Sequence, residues 1–316
     1  YSLWYKFLSL FVSDKVELYY FNFKLTTILL SISLFLLMLS CGVQRVLAFI
    51  LSIFSLSTFI NLPVWPHISH FCIIVLIGGI IVAKHQKTLV SKFAIMSYVL
   101  IVCAYARPEL FLPFFIVLLL TYLFFLVNIK QTNKKEIILI ISLTVITIIV
   151  FKFLKTPFNN GDSKRSIGVF LQHFGLNYSQ WYPSKSPFWL DFFDVINKEF
   201  PDASLTLKGL YAKNPTLIKR HFLSNISFYF IQIGKIVISF FAPIFTKKMH
   251  WLCLMVSTML LIVYFSFTKT SKNKRHRFFI ILKNNLFTVF VLCLFTFPSV
   301  LVCVYAYPRD HYLILQ

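Results

Sequence analysis

The chain has 316 residues, of which 58% are hydrophobic and 13% charged, against about 25% charged in an ordinary soluble domain, and its mean hydropathy is +0.79. The apolar excess comes from 38 Phe and 15 Tyr beside 8 Gly, which excludes a collagen-like or low-complexity chain and leaves one membrane domain as the economical reading. A formal net charge of +21 would point to nucleic acid in a soluble protein. Here the cations sit in short runs between apolar segments, at 84–92, 130–135 and 269–283. That pattern is how cytoplasmic Lys and Arg orient a membrane protein, so no nucleic-acid partner is expected.

Apolar segments long enough to cross, or nearly cross, a hydrocarbon core of about 30 Å run in order over 25–41, 46–65, 68–83, 93–106, 110–129 and 137–151. Three more follow at 222–245, 251–268 and 286–306. Helix is the only sensible assignment, because unpaired backbone groups are costly in lipid and no alternating barrel pattern is present. Arg45 and the runs at 84–92 and 130–135 are basic, whereas the turns at 65–67 and 107–109 carry little charge. The first group is therefore assigned to the cytoplasm, and 1–24, the Arg107 turn and 152–221 to the exoplasmic side.

The 152–221 stretch holds five of the ten acidic residues and five of the twelve prolines, and it is too long to be a simple connector. Its apolar spacing predicts short amphipathic helices over 188–200 and 203–212, forming a small cap on the membrane surface. In the last third, three crossings would put the basic 269–283 run outside, against the charge rule. The segment 222–245 is the one expected not to cross, because Asn225, Gln232, Gly234 and Lys235 interrupt it and Pro243 can break it. The predicted fold is an all-α polytopic transmembrane bundle of eight or nine spans. It divides into membrane helices at 1–151, an exoplasmic or periplasmic loop at 152–221 and membrane helices at 222–316, in the plasma (inner) membrane.

All six cysteines lie in apolar stretches, which argues against a disulfide framework or a zinc site. No CxxC, HExxH, GxGxxG or P-loop pattern occurs. Candidate chemistry is confined to a few ionic groups. Arg107 and Glu109 flank Pro108 at an exoplasmic helix junction, where ionisable residues are functional candidates. Pro108 also suits a first helical position and Glu109 a helix N-terminus, while Arg107 can snorkel. Directly after an apolar helix, Arg309, Asp310 and His311 could bind a phosphate and move a proton, with Tyr305, Tyr307 and Tyr312 as interfacial anchors. In the cap, His173 beside Gln172 and Trp181 beside Gln180 offer a sugar-binding surface or ordinary packing. Lys219, Arg220 and His221 stand where the chain re-enters the membrane, to anchor at headgroups or meet a lipid phosphate. His67 and His70 read as interface residues, and Asn177-Tyr178-Ser179 and Asn225-Ile226-Ser227 match N-glycosylation acceptors.

The order of the Tyr-Ser-Leu-Trp-Tyr-Lys stretch at 1–6, the Gly42 turn, the Ala-Arg-Pro-Glu-Leu junction at 106–110, the exoplasmic loop and the Pro-Arg-Asp-His-Tyr-Leu stretch at 308–313 resembles the GT-C class of integral membrane glycosyltransferases. That class includes protein O-mannosyltransferases and the lipid A aminoarabinose transferase. The resemblance covers most of the chain in layout through short motifs. It implies transfer of a sugar from a polyprenyl-phosphate donor to a glycan, lipid or protein acceptor on the exoplasmic face. It further implies basic residues at the lipid phosphate and an acidic first-loop residue acting as base or divalent-metal ligand. That first helix and its acidic loop are not seen in this sequence, which opens on Tyr1 and not on Met, so the chain is expected to be a fragment cut at both ends. Asp14 and Glu17 are the nearest acids, in an amphipathic run.

On that resemblance the catalytic candidates are Glu109, Asp310 and His311, and the candidates for binding substrate or lipid phosphate are Arg107, Arg309, Tyr312, His173, Trp181 and His221. No metal site is identifiable. The rivals are a flippase or transporter of a lipid-linked sugar, which would want polar groups near the bilayer midplane and internal repeats, and a non-catalytic assembly subunit.

Overall fold

A computed structural model of the chain describes residues 2–57, 68–154, 163–183, 191–241 and 283–305. Among these residues the regular structure is helical, with no strand. The first helices are α1 (Ser2–Leu8), α2 (Lys15–Ser40), α3 (Arg45–Ser57), α4 (Ile68–Lys84), α5 (Leu89–Ala106), α6 (Phe111–Val127) and α7 (Lys134–Leu154). They are followed by α8 (Ser163–Trp181), α9 (Phe192–Glu199), α10 (Leu207–Lys213), α11 (Pro215–Phe241) and α12 (Leu286–Tyr305). Among the described residues, five stretches are long and apolar enough to cross a membrane: α2, α5, Pro108–Val127, α7 and α12. The fourth helix is apolar but shorter, at 17 residues. The expected segment at 251–268 lies outside the described residues, as does the end of the one at 46–65.

Helix ends follow local chemistry. Asp14 caps α2 by accepting from the backbone N–H groups of Val16 and Glu17 at 2.9 and 2.8 Å, which gives this acid a role in the fold. The helix stops at Gly42, whose φ of 83° is the left-handed conformation that glycine adopts without steric cost. At the far end of α5, Arg107 takes an extended conformation (φ −136°, ψ 100°), as a residue before proline must. The segment 222–245, expected not to cross, is described as far as Phe241, and Pro243 lies outside the described residues. Helix α11 starts at Pro215 and runs unbroken through Asn225, Gln232, Gly234 and Lys235 to Phe241. Pro215 occupies the first helical position, and Asn214 Oδ1 accepts from Leu217 N–H at 3.1 Å, so a good N-terminus sets the helix going seven residues upstream of the apolar run.

The helices form two compact units, Tyr1–Val145 with Lys235–Thr296 and Ile146–Gly234 with Phe297–Ile314. In the first unit α2 packs on α3 and α4, α4 on α5, and α5 on α6. Contact is close where a Cβ at Gly79 of α4 would collide with the Val99 side chain of α5, the small-residue packing that membrane helices favour. Hydroxyl pairs tie the seams, Ser97 to Thr121 at 3.1 Å, Tyr98 to Ser142 at 2.6 Å and Tyr122 to Thr144 at 2.7 Å. The outer faces are apolar: Leu119, Leu123 and Leu126 of α6 and Ile138, Ile141 and Val145 of α7 are exposed. A water-soluble helix has the reverse arrangement.

The basic turns of this unit gather at one end. Lys84 Nζ donates to the Ser40 carbonyl at 2.6 Å and to Asn285 Oδ1, and Asn285 Nδ2 donates to the Cys41 carbonyl at 3.0 Å. The C-termini of α2 and α4 therefore meet the segment that opens α12. Beside them, Glu136 accepts from the Asn133 N–H at 3.1 Å in a capping box that starts α7, and it also accepts from the Thr88 hydroxyl at the start of α5. The Lys84–Asn285 bond thus holds the C-terminal end of α4 to the residues just before α12. Replacing Lys84 with Met strands the Ser40 carbonyl and Asn285 Oδ1, and should lower unfolding stability in detergent by about 1.5–3 kcal/mol. A denaturant midpoint equal to the wild type would contradict this account of the junction.

Candidate functional site

In the first unit, the 18 residues of α5 carry the chain about 27 Å away from the basic end to Arg107. There the Arg107 backbone N–H closes α5 on the Cys103 carbonyl at 2.8 Å, and Pro108–Leu110 forms a single 3-10 turn leading into α6. The turn brings Arg107 against Glu109, with Nε and Nη2 each 2.6 Å from Glu109 Oε1. Both side chains are largely buried, 14% and 17% exposed. A cation and a carboxylate held this way form a fixed dipole at the bundle end. An incoming anion must compete with Glu109 for the guanidinium, and the displaced carboxylate is then a proton acceptor at the same place.

The second unit is built around Phe170, Phe174 and Tyr178 of α8, spaced by four so that they share one face. They pack on Val195, Ile196, Phe200, Leu210 and Ile218, with Tyr305 of α12 against the same core. The Tyr178 hydroxyl donates to Glu199 Oε1 at 2.6 Å, tying α8 to α9. Burial first, and then the Glu199 carboxylate, push this phenol up to about 12.

Inside this core lies a polar cluster. His221 and Asn225 of α11 and Asn177 of α8 are all 0% exposed. His221 Nε2 is 3.2 Å from the Tyr305 carbonyl, which can only accept, so Nε2 carries the hydrogen and Nδ1 accepts from Asn177 Nδ2 at 2.8 Å. Asn177 Nδ2 also donates to Asn225 Oδ1 at 2.7 Å, and Asn225 Nδ2 donates to the Val304 carbonyl at 2.9 Å. The imidazole sits edge-on to Phe170, with ring centroids 5.0 Å apart. Burial lowers its pKa from the ordinary 6.5 to about 4, partly opposed by the Tyr305 carbonyl, so the ring is neutral at physiological pH.

The expected site residues are thus placed differently from one another. His221 and His173 are buried within the second unit, 0% and 2% exposed, away from any open surface. Trp181 closes the C-terminal end of α8, where its indole N–H donates to Ser224 Oγ at 3.2 Å and the Arg220 guanidinium stacks on its ring at 4.5 Å. Arg309, Asp310, His311 and Tyr312 lie outside the described residues, as does His67. His70 is buried in α4. The asparagines of both N-glycosylation patterns, Asn177 and Asn225, belong to the buried cluster, so in the folded chain neither amide is open to a transferase. In the sequence Asn177 stands out only as an acceptor pattern, and Asn225 as an acceptor pattern and an interruption of an apolar run, not as partners. The four-residue spacings from His173 to Asn177 and from His221 to Asn225, which put each pair on one helix face, were the available signal.

Among the described residues no group of three or more His, Cys, Asp or Glu side chains is placed to hold a metal ion. Comparisons with protein-family models, with curated proteins and with solved structures find no match.

The neutral imidazole has a consequence for stability. Between pH 6.5 and 4 the unfolded chain binds a proton at His221 that the folded chain refuses. Stability should be greatest above pH 6.5 and fall by about 3 kcal/mol as the pH drops to 4. Denaturation in detergent at pH 7.5 and 4.5 should show this loss in the wild type and a clearly smaller one in His221→Gln. An equal loss in both proteins would remove the assignment.

Proposed function

We propose that the chain is a membrane glycosyltransferase of the GT-C kind, moving a sugar from a polyprenyl-phosphate donor to a glycan, lipid or protein acceptor on the exoplasmic face. The observation that carries this reading is the Arg107–Glu109 pair. It is a half-buried cation with a carboxylate, set at the end of the first unit away from the basic turns, which the charge rule puts in the cytoplasm. On this reading the bundle has eight or nine spans in the plasma (inner) membrane, and the 152–221 stretch lies on the periplasmic side.

The chemistry asks for few groups. The acceptor hydroxyl attacks the anomeric carbon, the bond from that carbon to the phosphate oxygen breaks, and the lipid phosphate leaves with the electron pair. Cations at the leaving phosphate lower the barrier because negative charge grows there; Arg107 and Arg309 fill that role, with Tyr312 as a further donor. A carboxylate within reach of the acceptor takes the hydroxyl proton. Glu109 and Asp310 are the carboxylates, each beside an arginine, and His311 contacts phosphate or acceptor.

The test is transfer of label from a radiolabelled polyprenyl-phosphate hexose by the full-length protein in proteoliposomes. Arg107→Ala and Arg309→Ala should each reduce transfer by about a hundredfold or more, with insertion unchanged. Normal transfer by both variants would remove the site assignment. A change in sidedness of the labelled lipid without transfer would replace the enzyme with a flippase.

A further inference from the structure

The outer face of α11 carries a feature that the transferase chemistry does not use. Thr216, Lys219, Arg220, Leu223, Ser224 and Ser227 line an open groove of about 580 Å³. Thr216, Arg220, Leu223, Ser227 and Phe230 follow one another at steps of four, three, four and three residues, which places them on one side of the helix. His221 and Asn225, on the opposite side, are sealed in the core. The groove is therefore the exposed half of a helix whose other half is fixed.

The head of the groove is a prepared cation. Arg220 lies over the Trp181 ring at 4.5 Å and the Tyr182 ring at 5.6 Å, and Nη1 donates to the Tyr182 hydroxyl at 3.3 Å. Trp181 is itself held by its bond to Ser224 Oγ at 3.2 Å. Stacking and one hydrogen bond fix the guanidinium plane and leave its other N–H groups to an anion. Lys219 stands beside it, and among the described residues neither cation has a carboxylate partner. Ser224 Oγ accepts from Trp181, so its own hydrogen is left to donate. Below the cations the face turns apolar, with Leu223 66% and Phe230 67% exposed. From Arg220 to Phe230 is about 15 Å along the helix, close to the hydrocarbon depth of one leaflet.

From this geometry we infer that the Trp181–Arg220–Lys219 groove binds an anionic phospholipid of the surrounding bilayer, with the phosphodiester on Arg220 and Lys219 and an acyl chain along Leu223 and Phe230. Charge complementarity selects an anionic head, and the apolar continuation selects a lipid over a soluble phosphate. The inference does not rest on the transferase reading: a chain with no transfer activity would bind the same lipid.

The test is native mass spectrometry of the delipidated full chain, offered phosphatidylglycerol and phosphatidylcholine of equal chain length. The wild type should retain phosphatidylglycerol about tenfold more than phosphatidylcholine. Arg220→Gln with Lys219→Gln should bring the two within about twofold, and Trp181→Leu, which keeps both charges, should fall between. Lys219→Gln alone changes one exposed side chain and should also reduce the preference, so the test survives if the double variant does not fold. Lys208→Gln with Lys213→Gln, two lysines of the same unit outside the groove, should leave the preference intact. An equal loss in that control, an unchanged preference in the groove variants, or a stronger preference for farnesyl phosphate over phosphatidylglycerol would each overturn the proposal.

Discussion

Three buried side chains hold the end of α12 by its own backbone. A helix leaves its last carbonyls without intrahelical partners, and in an apolar surrounding each unpaired group is costly. Here the Val304 carbonyl accepts a hydrogen bond from Asn225 and the Tyr305 carbonyl accepts one from His221, while Asn177 bonds to both of those side chains. The cluster therefore joins α8, α11 and α12 through hydrogen bonds that water cannot replace. Much of the second unit follows from it. Phe170 and Phe174 pack on the imidazole, Tyr305 packs on Phe170, and α11 is fixed in rotation, so that Arg220 must face outward toward Trp181.

The first unit solves the same problem with a charge. Ser40 and Cys41 end α2 with free carbonyls, and Lys84 and Asn285 reach them from distant points in the chain. A lysine near helix C-termini also complements the negative end of the helix dipole. This gives one of the cations in the chain's excess a role beyond orientation. Arg107, at the other end of α5, has Glu109 as its partner, and the two differ in what they offer. Lys84 has its donors directed at backbone and amide oxygens, whereas the Arg107 pair could exchange its carboxylate for a phosphate.

Hydropathy made the apolar helices legible because lipid exposure demands long unbroken runs, and α2, α5, α6, α7 and α12 all fall on expected segments. Junctions with a local cause, such as Arg107 before Pro108, could be placed from neighbouring residues alone. The helical unit around Phe174 was only half legible. Its two shorter helices were anticipated near α9 and α10, but α8 was not, because Lys164, Arg165 and Gln172 dilute its apolar stripe and hide the four-residue spacing of Phe170, Phe174 and Tyr178. The start of α11 was missed because a proline and an asparagine define it, seven residues before the apolar run begins. The polar cluster showed in the sequence only as two four-residue spacings, His173 to Asn177 and His221 to Asn225, and not as a partnership. Asn177 and Asn225 are 48 residues apart, and nothing local marks two asparagines as partners.

Asn177, His221 and Asn225 act as one unit. A double-mutant cycle on Asn177→Ala and Asn225→Ala, read by denaturant unfolding of the full chain in detergent, addresses this directly. Each single variant should lose about 1–3 kcal/mol, and the double variant should fall short of the sum by about 1 kcal/mol or more, because the second truncation removes a bond already broken by the first. Losses that add to within about 0.3 kcal/mol would mean that the two asparagines act independently and that the cluster does not hold these helices together.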